Sequence, residues 1–214
     1  MKSVLWIAIA TCLVAAPATA DDDRQIRTLT GDFATRAVER IDLRLPPGSI
    51  RIEPSPDGRL RVELGVYCSF DSRRCEERSE RLSLRSSLEG NTLELRVDGM
   101  PTLTGLGLNL RGRILVPRAK ALEVDFPAGE LTIRGVEGDL NVDVGAGEVS
   151  IVLREHDVRS VRLGVGIGEA TLSVSGRSIE GSGWLGQKVR WGEGDGPSRV
   201  AVSLGVGELD VTLD

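Results

Sequence analysis

Aromatic residues are few in this chain of 214 residues: three Trp, three Phe and one Tyr, 3 % of the whole. A core with so few rings must be filled by Val, Leu and Ile. Histidine is scarcer still, with His156 alone. That argues against zinc sites and against histidine-based acid–base chemistry. No window sustains the three-four apolar spacing of a capped helix. Basic clusters are missing too. The 27 Lys and Arg are scattered among 32 Asp and Glu, for a formal net charge of −5. A mildly acidic chain without a basic stripe is a poor nucleic-acid partner. Past the first twenty residues there is no apolar segment of membrane length.

Those first twenty residues read as an export signal. Lys2 supplies the positive start, Val4 to Ala16 a short apolar stretch, and Ala18-Thr19-Ala20 the small-x-small cleavage site. Cleavage after Ala20 removes Cys12 and leaves 26 basic against 32 acidic residues, a formal charge of −6. A lipidated Cys12 is the weaker reading, because Thr11 is a poor residue before it. Residues 21–37 are polar and read as a flexible lead-in with one short strand near its end. The exported chain keeps Cys68 and Cys75 in CSFDSRRC, expected to pair as a disulfide in an oxidising compartment. They open a charged excursion, 68–81, read as a surface loop or a single helical turn. Met100 to Arg113 reads as a loop with an ill-defined strand.

What is plentiful is glycine, 26 residues, about twice the usual share, and it recurs inside one sentence. Val200 to Leu213 reads VAVSLGVGELDVTL. The same pattern is written as VRLGVGIGEATLSV, LNVDVGAGEVSIVL, LEVDFPAGELTI and IDLRLPPGSIRI. Each is centred on a glycine: Gly48, Gly129, Gly147, Gly168 and Gly207. Apolar residues stand seven, five and three before that glycine and two and four after it. The position two before it is Gly or Pro. The position after it is Glu130, Glu148, Glu169 or Glu208, and Ser49 in the first copy. From Gly129 the central glycines are 18, 21 and 39 residues apart; the last gap is close to two periods, and a missing copy would fall in Arg177 to Gly196.

A fixed repeated sentence of alternating apolar residues predicts an all-β fold. It would be a single repeat domain over 38–214. In a β-solenoid each period of about 18–21 residues is one coil stacked on its copy. In the alternative, an antiparallel β-sandwich, each copy is a hairpin. The near-constant period and the lack of Asn-Gly turns favour the solenoid. Trp184 and the irregular amino-terminal half are candidates to close the ends.

The run ILVPRAKALEVDFPAGELTIRGVEGDLNVDVGAGEVSI resembles the bacterial "putative adhesin" family. The matching motifs are Ile114 to Pro117, Leu122 to Val124, Gly129 to Ile133 and Gly138 to Val142, and IDLRLPPGSIRI is similar to the family's first strand pair. The resemblance spans roughly Val38 to Leu213. It implies exported β-solenoid-like repeats, a proposed role in adhesion, and no catalytic residues, cofactor or metal to carry over.

Candidate sites are accordingly those of a binding module. If coils stack, Glu130, Glu148, Glu169 and Glu208 could line one edge, for a cation or a basic partner, or simply as solvated charges that oppose aggregation. Trp184 and Trp191 could stack on a sugar or peptide, or cap the core. The glycine run Leu163 to Ala170 lacks the helix a phosphate loop needs, because Thr171 to Val174 continue as strand. Glu123, Asp125, Asp143, Glu169 and Asp210 could supply carboxylates for sugar hydrolysis, but the short corners leave little chain to build a cleft. His156, in REHDVRS, reads as a solvated loop residue. The expectation is a non-enzymatic exported protein, periplasmic or at the cell surface. Its partner would be an envelope protein or glycan. An envelope-sensing role is the alternative, and a carbohydrate-active enzyme the third.

Overall fold

The computed structural model of the chain describes residues 24–68, 73–100, 108–183 and 185–214. The first twenty residues, expected to be an export signal and including Cys12, and Trp184 lie outside the described residues. Thirteen strands form one hydrogen-bonded sheet. In chain order they are β1 (Arg24–Phe33), β2 (Arg40–Arg44), β3 (Gly48–Pro54), β4 (Leu60–Cys68), β5 (Ser83–Glu89), β6 (Thr92–Asp98), β7 (Leu108–Val116), β8 (Ala121–Arg134), β9 (Leu140–Leu153), β10 (Val158–Val174), β11 (Arg177–Glu180), β12 (Leu185–Trp191) and β13 (Ser198–Leu213). A two-turn helix, α1 (Arg73–Ser79), follows β4, and a single 3-10 turn, Glu155–Asp157, precedes β10.

Each later copy of the repeat is one long strand bent at its central glycine. In β8 the apolar positions Leu122, Val124, Phe126, Leu131 and Ile133 are all buried. Phe126 and Leu131 are five residues apart, so on a straight strand they would point to opposite faces. The bend lets both arms turn their apolar side to the same core. The central glycines hold it, with φ from +123° to +139° at Gly129, Gly147, Gly168 and Gly207, angles that side chains with a Cβ avoid.

The copies lie side by side, parallel and in register. Gly48 pairs with Gly129, Gly129 with Gly147, Gly147 with Gly207, and Gly207 with Gly168. The spatial order is therefore not the chain order: β13, the last strand, lies between β9 and β10. Because these strands bend, the sheet has two faces around one core. The first arms continue the row β5-β6-β2-β8-β9-β13-β10-β12, and the second arms the row β1-β4-β7-β3-β8-β9-β13-β10-β11. The all-β class is as the repeat predicts. The parallel pairing of equivalent strands is what coils require. The interleaved order, with antiparallel strands at both ends, is not a simple succession of coils.

Three further expectations are corrected. Residues 24–33, read as part of a flexible lead-in, form β1, antiparallel to β4. Only Leu29 of this strand is fully buried, so its alternation was too weak to see; backbone pairing holds it, and its charges suit an edge. Of the Met100 to Arg113 stretch, 101–107 lie outside the described residues, and 108–113 form a regular part of β7, which joins β3 to β4. No further copy lies in Arg177 to Gly196. That segment makes β11 and β12, each antiparallel to an arm of β10. The cause is the Ser175-Gly176 turn, with φ of +48° and +75°. Positive φ at both central residues is the two-residue turn that sends a strand straight back.

The Cys68–Cys75 disulfide is present, with Cα atoms 6.1 Å apart. Both cysteines are buried, tying α1 to the end of β4.

A candidate binding edge at the corner of the stack

The bend brings the residues after the central glycines to one edge. Glu130, Glu148, Glu208 and Glu169 occupy paired positions on four adjacent strands, in that spatial order. Ser49 comes next on β3, and its hydroxyl donates to Glu130 Oε2 at 2.9 Å. All four glutamates are exposed. Neighbouring parallel strands are about 4.8 Å apart, so the row carries four negative charges over roughly 14 Å.

The position before the glycine forms a second row beside the acids. It runs Ala128, Ala146, Val206, Ile167, and then Leu185 on β12, which pairs with Ile167. The side chains grow toward the β12 end, and so does their exposure: Val206 is 49 % exposed, Ile167 52 % and Leu185 72 %. Large aliphatic groups left in water forgo about 1.5–3 kcal/mol each of burial. Sequence reasoning passed this row by because it looked for what the copies share, and this position varies. The signal was the change from Ala to Val to Ile at one fixed place.

Between the two rows at this end lies a hollow of about 370 Å³, lined by Ile167, Glu169, Val206, Glu208, Gly183 and Gln187. Gln187 closes the stack where no further copy supplies backbone partners. Its buried amide accepts the Ala170 N–H at 2.8 Å through Oε1 and donates to the Gly183 carbonyl through Nε2.

Other candidates are placed elsewhere. Trp191 is half-buried against the core, paired with Val161 at the opposite end of β12 from Leu185. Glu123, Asp125 and Asp143 lie on first arms, and Glu169 and Asp210 on second arms. The corner separates the two sets. Glu123 is ion-paired with Arg40 at 3.5 Å. His156 is exposed on the 3-10 turn, its Nε2 3.5 Å from Asp157. Among the described residues, no group of three or more His, Cys, Asp or Glu is arranged to hold a metal ion. None of their helices is long and apolar enough to cross a membrane. The edge is thus a surface that can attract cations and cover apolar groups.

No protein-family model matches the chain, and no curated protein is significantly similar to it. Among solved structures it is similar to a protein from Clostridium sporogenes described as a "putative cell adhesion protein", with a TM-score of 0.53 at 14 % identity over 88 % of this chain and 99 % of that one. A "putative adhesin" from Bacteroides fragilis is matched at 13 % identity over 86 % and 97 %, with a TM-score of 0.26. The Clostridium likeness shows that the two chains share a fold over nearly their whole lengths.

Proposed function

We propose that the protein is a non-enzymatic, exported, adhesin-like binding module of the cell envelope, and that its corner edge is the contact surface. The observation that carries this reading is the juxtaposition of two registered rows: four glutamates beside Val206, Ile167 and Leu185. Contiguous exposed apolar side chains rimmed by charge mark interaction surfaces. Such a surface suits an envelope protein that offers Lys or Arg next to apolar residues. The glutamates set orientation and encounter rate, and the aliphatic row contributes desolvation. The signal-like start and the disulfide support export.

The test is capture from envelope extract by the full exported chain, compared with a variant carrying Glu148→Gln, Glu208→Gln and Glu169→Gln, and with Leu185→Ser. A partner held by the native chain, identified, and lost from both variants supports the reading. A partner retained equally by both variants removes the edge from the interface. Cell fractionation in the same strain separates surface adhesion from an envelope-sensing role, since a sensing protein stays inside the envelope.

A further inference from the structure

The outer face of the second arms changes character away from the acidic edge. Across β4, β7, β3 and β8 it holds Arg51, Arg111 and Arg113 around a shallow groove of about 390 Å³. Arg51 on β3 is directly paired with Arg113 on β7. Like charges directly opposite in a sheet destabilise it. One carboxylate partly relieves this pair: Arg113 donates from Nε and Nη2 to Glu63 Oε2 at 3.3 and 3.2 Å. The Arg51 side chain has no hydrogen bond or ion pair to any described residue, although it lies beside β8, which carries Glu130. That glutamate accepts the Ser49 hydroxyl instead.

The rest of the groove is rigid and polar. The ring of Tyr67 lies over Gly65, where a Cβ would come within 2.8 Å of it. The Tyr67 hydroxyl donates to Gln25 Oε1 at 3.0 Å. The Arg111 guanidinium stacks on the ring, 5.0 Å from its centroid, the geometry of a cation–π contact. Arg111 and Arg113 are thus held in place, and Arg51 projects between them and Thr132.

We infer that this groove binds an anionic group of an acidic polysaccharide, with Arg51 as the principal contact. Arginine presents a planar fork that matches a carboxylate or sulfate. The neutral donors and acceptors around it, Gln25, Thr28, Ser49 and Thr132, suit sugar hydroxyls. The volume is in the range of small-ligand pockets, ~300–1,000 Å³. The nearby Glu63 and Glu130 disfavour a densely charged polyanion, and with Ile50 buried and the Tyr67 ring covered by Arg111 the lining leaves little apolar surface to anchor an acidic peptide. The groove meets the corner edge at Ser49 and Glu130, but its test variants change Arg51 alone and leave Glu148, Glu169, Glu208 and Leu185 intact, so either proposal can fail alone.

The experiment is affinity electrophoresis of the full exported chain through gels containing polygalacturonate, kappa-carrageenan, dextran or polyglutamate. Retardation by polygalacturonate or kappa-carrageenan and not by dextran is expected, and which of the two retards more identifies carboxylate or sulfate. The dissociation constant should rise about tenfold or more in Arg51→Glu and with added salt. Arg51→Thr keeps the fold testable: removing the like-charge pair should preserve or raise the melting temperature while binding falls. Equal retardation by dextran, equal binding by Arg51→Glu, no retardation by either acidic glycan, or equal retardation by polyglutamate would each overturn the inference.

Discussion

Asp57 and Asp42 show how differently the same side chain is placed on this sheet. Asp57, in the Pro54-to-Gly58 turn, accepts the Ser55 hydroxyl at 2.8 Å and the Arg59 N–H at 3.4 Å, and faces the Arg61 guanidinium. The Ser55 bond leads in holding its carboxyl below the ordinary range. Asp42, on β2, is pushed the other way. Burial dominates, Glu123 and Glu94 add to it, and Arg44 opposes it. The signs follow from linkage. A depressed carboxyl contributes stability that is present above its unfolded pKa of about 3.9 and is lost as pH falls through the folded value. A raised carboxyl costs stability once pH climbs through its folded value, and the cost is absent in acid. Asp57→Asn should therefore lower the melting temperature at pH 7, with the difference fading below about pH 4. Asp42→Asn should preserve or raise it at pH 7 and lose that advantage at low pH. Thermal melts of both variants at pH 7, 5 and 3 check this. Opposite trends would mean that other contacts outweigh the carboxyls. The sequence shows Pro54-Ser55-Pro56-Asp57-Gly58 as a turn, because Pro and Gly act locally. It shows nothing of the burial of Asp42 or of the carboxylates beside it, Glu94 and Glu123, which come from β6 and β8.

The bent strand is the unit at the next scale, and its glycine is set by the neighbouring strand as well as by its own angle. A Cβ at Gly207 would stand 1.8 Å from the Gly147 carbonyl oxygen, and one at Gly147 would stand 1.9 Å from that of Gly129. Gly176, in the β10–β11 turn, also has positive φ, but a Cβ there would meet nothing within 4 Å. Gly176→Ala should cost about 1–2 kcal/mol, the left-handed penalty alone. Gly207→Ala must also push β13 and β9 away from each other, and should cost about 4 kcal/mol or more. Urea unfolding of the two variants measures the difference; equal costs would show that the backbone angle is the whole reason for glycine. The corners were legible because each copy repeats its punctuation. The strands at the ends were not: β1 buries little, and the turn into β11 is written Ser-Gly rather than Asn-Gly.

At the scale of the whole molecule the decisive feature is the last strand. β13 pairs with β9 along one side and β10 along the other, through both arms. It comes last of the strands in sequence, yet in space it lies inside the sheet, between β9 and β10. Its final residue is tied in as well, with the Asp214 N–H donating to the Leu153 carbonyl at 3.0 Å and its carbonyl accepting from Glu155 N–H at 2.9 Å. A chain ended at Pro197 should lose cooperative unfolding and become protease-sensitive throughout, because β9 and β10 each lose a neighbour and the core between them opens. Circular dichroism melts and limited proteolysis read this out. A truncated chain that still melts cooperatively near the native temperature would show that β9 and β10 can close on each other.

Alternation, the five apolar positions and the glycine corner determine by themselves that this chain is all-β, that it changes direction at each central glycine, and which residues face the core. Each of these follows from steric and solvation demands within one copy. The neighbour of each copy was decided only in three dimensions. The copies are nearly equivalent, so the pattern permits any order of stacking. The back-turn at Ser175-Gly176 sends the chain into β11 and β12 on the outer side of β10, and the place between β9 and β10 goes to β13. That order sets Leu185 beside Ile167 and Val206. The irregular pairing of β3, β7 and β4 sets Arg51 beside Arg113. Both surfaces therefore come from strand order, which the alternation of a single copy does not encode.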